Sequence, residues 1–136
     1  MVATQLLHMP AALPTAFQRI GGLLTGDDLA LVLRSSIDQP VSRVAQWIAQ
    51  RKVVNFVWQA QFLLPTFQFE PASMRPRSRV SDVIAELADV YDDWDIAAWF
   101  ARPNTWLDEE APARVIAVDP CAVVQAARAD RFVAAG

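Results

Sequence analysis

A polar segment, EPASMRPRSR at residues 70–79, divides the apolar patterning of this chain in two. Its prolines, serines and arginines are typical of connections rather than of helices or strands. Apolar residues recur at helix or strand spacing on both sides of it. We therefore predict an N-terminal extension at residues 1–22, a first folded unit at 23–70, a connector at 71–79 and a second unit at 80–136.

The composition is that of a folded protein with more apolar residues than a chain of this size usually needs for its core. Of 136 residues, 54% are hydrophobic, and these include five Trp and seven Phe. Disordered chains are far less apolar. A small chain this rich in aromatic residues often buries part of its apolar surface in an interface. The sequence therefore predicts a homodimer.

Charge is distributed unevenly along the chain. Residues 1–80 contain eight Arg or Lys against four Asp or Glu, which is a net charge of +4. Residues 81–136 contain four against eleven, which is −7. We expect the two parts to meet different partners.

Cysteine usage and hydropathy predict a cytoplasmic protein. The single Cys121 cannot form an intramolecular disulfide, which is typical of a reducing compartment. The apolar start of the chain is interrupted by His8, Pro10 and Pro14 and lacks a cationic beginning, so it makes a poor signal peptide. No apolar run approaches the roughly 18 residues that cross a bilayer, and we expect no membrane insertion.

Two helices and a hairpin are predicted in the first unit. Thr25 followed by Asp28 resembles a capping box, so a helix should begin there and run to about Ser35. A second helix begins near Pro40 and carries an apolar stripe. A short turn between two helices has the dimensions of a helix-turn-helix. Residues 53–69 are rich in β-branched and aromatic residues and predict a short β-hairpin.

The polar face of the second helix is a candidate DNA-binding surface. Arginine, lysine and glutamine side chains can contact phosphates or base edges, although such faces are more often simply solvated. The candidate DNA-binding residues are Arg43, Gln46, Gln50, Arg51 and Lys52.

The second unit is predicted to be a bundle of about four short helices. The first follows a Ser78 or Ser81 cap, and the second begins at an Asp93 cap and ends before Pro103. A third lies within residues 110–118, and the last begins at Asp119-Pro120 and reaches Val133. The predicted fold class is therefore mainly α, with a helix-turn-helix-like region and a β-hairpin followed by a compact helical bundle.

The sequence contains few of the residues that usually carry out catalysis or bind metals. It has one His and one Cys, with no Cys or His pair at metal-ligand spacing. The carboxylates at residues 92–95 and 108–110 precede predicted helices, where capping explains them better than a metal site. Its glycines match no phosphate-binding loop. We expect no catalytic residues, no metal, no cofactor and no enzymatic activity.

Three stretches resemble the Xre/MbcA/ParS antitoxin family: LLTGDDLA at residues 23–30, LPTFQF at 64–69 and WFARPNTWL at 99–107. Their order and spacing also fit that family. The third stretch contains the structural motif Trp99, Pro103, Asn104 and Leu107. A Gly common in the family after this Leu is replaced here by Asp108.

The resemblance implies a fold and a function. It implies a degenerate DNA-binding-like region followed by a helical domain that binds and neutralises a toxin, typically a RES-domain protein that attacks NAD. It also implies that the C-terminal end approaches the toxin's active site. The candidate toxin-binding residues are Arg128, Arg131, Phe132, Val133 and Gly136.

Two functions remain in competition. In the first, the chain is an antitoxin-like protein that binds a toxin, with or without binding its operator DNA as well. In the second, it is a DNA-binding transcriptional regulator without a toxin partner. A neighbouring gene for a RES-type domain would favour the first.

Overall fold

The computed structural model describes residues 17–136. The apolar start of the chain with His8, Pro10 and Pro14, predicted to be a poor signal peptide, lies outside the described residues. The strands and α-helices are, in chain order, β1 (Leu23–Thr25), α1 (Gly26–Leu33), α2 (Pro40–Ala49), β2 (Phe56–Trp58), β3 (Gln61–Pro65), α3 (Val80–Leu87), α4 (Asp93–Ala101), α5 (Pro112–Val115) and α6 (Pro120–Ala135). Short 3₁₀ turns lie at Thr66–Gln68 and Thr105–Leu107.

Thr25 begins α1 as its sequence context predicts. The Thr25 hydroxyl accepts a hydrogen bond from the Asp28 backbone N–H at 3.0 Å, and an Asp28 carboxylate oxygen lies 3.4 Å from the Thr25 N–H. This is a complete capping box, which satisfies two otherwise unpaired donors. The predicted start of α1 is therefore confirmed, and its end comes at Leu33 rather than near Ser35.

The predicted hairpin is present and belongs to a larger sheet. Strand β3 pairs antiparallel with β2, and the tight turn between them is Gln59-Ala60. Both turn residues have positive φ, 52° and 63°, a conformation that Asn-Gly normally supplies. Strand β1 pairs antiparallel with the other edge of β3, so the sheet order is β1-β3-β2.

The predicted fold class is wrong, because the three-stranded sheet makes this a mixed α/β fold rather than a mainly α one. Residues 23–25, for which no strand was predicted, form one since β3 offers them backbone partners. The predicted helix-turn-helix is wrong as well. Six residues separate α1 from α2, more than the three or four of a helix-turn-helix, and both helices share a core with Leu64 of the sheet.

Two apolar cores lie on either side of the sheet region. The smaller core joins α1 and α2 to β3 and Phe69. The larger core is built mainly from α3 to α6, yet it also contains Phe17, Phe56 and Phe67 from the first half of the chain. Phe56 stacks on Phe17 at a centroid distance of 6.0 Å and on the half-buried Trp94 at 4.7 Å. The first half of the chain therefore contributes to both cores.

The four helices predicted for the second unit are all present, although two of their caps differ. Asp92 rather than Asp93 caps α4, with its carboxylate accepting from the Asp95 N–H at 2.9 Å. Neither Ser78 nor Ser81 caps α3, whose N-cap is Arg79. The predicted Asp119 cap of α6 is confirmed. Among the described helices, none is both long enough and apolar enough to span a bilayer.

Candidate partner-binding site

Asp130 organises the turn that carries the WFARPNTWL motif. One of its carboxylate oxygens accepts from the Trp99 indole N–H at 2.7 Å and from the Asn104 side-chain amide at 2.9 Å. The other accepts from the Trp106 indole N–H at 2.9 Å. One donor from α4 and two from the turn that follows it therefore converge on a single carboxylate of α6, which holds that helix against both. Hydrogen bonds to an ionised acceptor are stronger than neutral ones.

Asn104 gives this turn its shape. Its side-chain oxygen accepts from the Trp106 N–H at 2.9 Å, and its backbone oxygen accepts from the N–H groups of Leu107 and Glu109 at 3.0 and 2.9 Å. Asp108 then adopts a left-handed conformation with φ 55°. Glycine adopts this conformation without steric cost, so the departure from the family pattern lies at a position where the backbone itself favours glycine.

Pro103 and Leu107 complete the motif. Pro103 follows the last residues of α4 and stays exposed, whereas Leu107 is buried in the larger core. Trp106 is 58% exposed although its indole N–H is bound. The motif residues therefore build the turn that supports the C-terminal part of α6.

Glu86 of α3 holds two of the predicted binding residues on the other flank of α6. Arg128 Nε donates to Glu86 Oε1 at 2.9 Å, and Arg131 Nη1 lies 3.0 Å from Glu86 Oε2. The Glu86 side chain is only 15% exposed. Two guanidinium groups thus lie against one largely shielded carboxylate: Arg128 is hydrogen-bonded to it, whereas Arg131 is close enough for an ion pair but Oε2 accepts no hydrogen bond.

The remaining predicted residues lie beyond this support. Phe132 is 81% exposed and Val133 69% exposed, and residues 134–136 are exposed as well. Five consecutive helical or helix-ending residues point in all directions around the axis, since successive residues are 100° apart. The end of α6, as far as residue 136, therefore projects from the body of the protein with an apolar surface on every side.

A shallow groove of about 570 Å³ lies along this projecting turn. It brings together Arg128, Arg131, Phe132, Val133 and Gly136, which are the five predicted toxin-binding residues, with Ala135. Their side chains offer apolar contact and positive charge. Within residues 17–136, no three His, Cys, Asp or Glu side chains are arranged to hold a metal ion. The arrangement is suited to binding another surface.

The candidate DNA-binding residues lie on and just after α2. Gln46, Gln50 and Lys52 are exposed and Arg43 is half-buried. Arg51 differs because its guanidinium lies 3.5 Å from the Asp93 carboxylate at the start of α4. A role for these residues in DNA binding remains a prediction, and Arg51 would have to leave this ion pair or share it to contact a phosphate.

Sequence reasoning missed Asp130 and Glu86, the two carboxylates that support the site. Asp130 lies 24 to 31 residues from its three donors, and Glu86 lies 42 residues from Arg128. A weak signal was available in α6. Asp130 is the single acidic residue of that helix, and it lies in line with the buried Val123, Ala126 and Ala127, where an unpaired charge would be costly.

No protein-family model, no curated protein and no solved structure matches this chain.

Proposed function

We propose that this chain is an antitoxin-like binding protein that inserts the end of α6 into a concave site on a toxin. The observation that carries this proposal is the projecting turn at residues 132–136, which is apolar and exposed on every side. Helices that are apolar all round are normally buried. A turn of this kind in water is therefore suited to a pocket on another protein.

The supporting contacts favour tight binding. Arg128 and Arg131 are already oriented by Glu86, and Asp130 secures the same stretch of helix to the motif turn. A helix end that is ordered before binding loses less conformational entropy on association. Burying an exposed Phe or Val side chain contributes about 1.5 to 3 kcal/mol, so Phe132 and Val133 are expected to be the main anchors.

The mechanism that follows is steric occlusion. A helix turn filling the toxin's active-site cleft excludes its substrate without any chemical step on this chain. Because its motifs resemble those of the Xre/MbcA/ParS antitoxins, the partner we propose is a RES-domain toxin that attacks NAD. A cytoplasmic location, suggested by the single Cys121, is part of the same proposal.

Co-expression with the neighbouring reading frame tests this function. The full chain should capture the toxin and abolish its consumption of NAD. Phe132→Asp should weaken the complex about 10- to 100-fold, because an ionised side chain would be desolvated in the pocket. Val118→Asp is the matched control, since Val118 is 82% exposed and precedes the other end of α6.

Two results would contradict the proposal. One is a failure of the wild-type chain to bind or inhibit any neighbouring RES-type protein. The other is equal binding by the two aspartate variants, which would place the contact away from the end of α6. The alternative, a DNA-binding regulator without a toxin partner, stays a prediction.

A further inference from the structure

One flank of α2 is apolar and uncovered. Val41 is 67% exposed, Ala45 and Ala49 are exposed, and Ile48 is half-buried. These four residues lie within about 100° of one another around the helix axis, given 100° per residue. The buried residues Val44 and Trp47 occupy the neighbouring sector, which faces the smaller core. The apolar surface of α2 is thus wider than its own core needs.

This flank forms one wall of an apolar groove of about 230 Å³. Phe62 of β3, 48% exposed, contributes to the groove, and Gly26 and Asp27 close its end at the start of α1. Val57, paired with Phe62 across the hairpin, is 49% exposed on the same side of the sheet. The uncovered apolar surface therefore continues from α2 onto the sheet.

Charges at the two ends of α2 indicate what covers it. Asp38 precedes the helix and Asp27 lies beside its first turn, whereas Arg51 and Lys52 follow its last turn. Asp38 and Lys52 form no salt bridge with any residue in the range 17–136. A helix that is acidic at one end and basic at the other is complementary to an antiparallel copy of itself.

The sequence of α2 fits such a pairing in detail. A twofold axis passing beside Ala45 would place Val41 opposite Ala49 of the partner subunit and Asp38 opposite Lys52 of the partner subunit. The small side chain of Ala45 would then lie at the point of closest approach, where small residues allow two helices to pack closely. An isologous interface needs a self-complementary patch, and this flank is one.

We infer that the flank Val41, Ala45, Ile48 and Ala49, together with Phe62, is the interface of a homodimer in which α2 packs antiparallel on its copy. This surface is separate from the end of α6. The inference therefore does not depend on the proposed function, and a failure of either leaves the other standing.

The mass of the full chain in solution tests the inference. The wild-type protein is expected to sediment at twice its chain mass of 15.1 kDa and to dissociate on dilution.

Ala45→Glu should sediment at the chain mass with an unchanged circular dichroism spectrum, because Ala45 is exposed. Gln46→Glu is the matched control, since Gln46 is exposed on the polar flank of α2; it should remain dimeric. A wild-type chain that is monomeric at every concentration, or a dimer that persists in Ala45→Glu, overturns the inference.

Charge-reversal variants and a cysteine variant test the geometry. Asp38→Lys and Lys52→Asp should each weaken the dimer at least tenfold, and the double variant should restore it because the charges are exchanged. Ala45→Cys in a Cys121→Ser background should form an intersubunit disulfide on oxidation, since the axis brings the two residues 45 together. A double variant weaker than both single variants, or no cross-link at residue 45, overturns the antiparallel arrangement.

Discussion

A few polar side chains with long-range partners hold the candidate site together. Asp130 receives two indole N–H groups and one amide, and Glu86 receives two guanidinium groups. Asp130 ties one flank of α6 to the motif turn, and Glu86 of α3 holds the arginines of the other flank. Their role is to fix the direction of the projecting turn, so their loss should affect both stability and binding.

Asp130→Ala is expected to lower the free energy of unfolding by about 2 to 4 kcal/mol, because it leaves the buried Trp99 and Asn104 donors without an acceptor. Urea denaturation followed by tryptophan fluorescence measures the loss. Asp82→Asn is a suitable comparison, since within residues 17–136 Asp82 pairs with Arg79 alone, on the exposed side of α3. Its substitution should cost less than about 1 kcal/mol. Equal losses in the two variants would argue against the Asp130 network.

At the scale of elements, Gln68 connects the sheet to the segment that precedes it. Its side chain is fully buried. The amide oxygen accepts from the Val54 N–H at 2.6 Å, and the amide nitrogen donates to the Val54 and Pro65 carbonyl oxygens at 2.8 and 3.0 Å. The Gln of the "FQF" stretch therefore replaces a strand pairing that the chain does not make at this point. All polar atoms of its side chain are used.

Gln68→Ala should lower the free energy of unfolding by about 2 to 4 kcal/mol, since it leaves buried backbone groups of Val54 and Pro65 unpaired and opens a cavity. Hydrogen exchange at the Val54 amide gives a local measurement, and that amide should lose protection before the centre of α6 does. Gln61→Ala on the exposed part of β3 should change stability by less than about 0.5 kcal/mol. Unaltered protection at Val54 would refute the proposed link.

At the scale of the whole molecule, the two cores are joined by shared apolar residues more than by charge. Phe17, Phe56 and Phe67 extend from the first half of the chain into the larger core. The Arg51–Asp93 ion pair also joins the two halves, but its side chains are 53% and 54% exposed. A pair this exposed contributes little, because water and salt screen it.

Arg51→Ala should therefore change the free energy of unfolding by less than about 1 kcal/mol, and less still at high salt. The double variant Arg43→Ala/Arg51→Ala is therefore a usable test of DNA binding, because the Arg51 side chain can be removed without unfolding the protein. If the chain binds its promoter through these residues, the double variant should bind more weakly and with a smaller dependence on salt. Unchanged promoter binding by the double variant would show that these residues of α2 do not bind the DNA.

The sequence by itself determined the features that depend on near neighbours. The caps at Thr25 and Asp119 join residues three positions apart, so their chemistry is visible in a short stretch. The β-branched and aromatic run likewise predicted the hairpin. Tertiary structure decided the rest. Strand β1 exists because β3 supplies its backbone partners about 40 residues later, and Asp130 and Glu86 have partners 24 to 45 residues away. Side chains so far apart in sequence become neighbours only once the helices and the sheet have packed, which is why local patterns did not predict the α/β fold or the support of the candidate site.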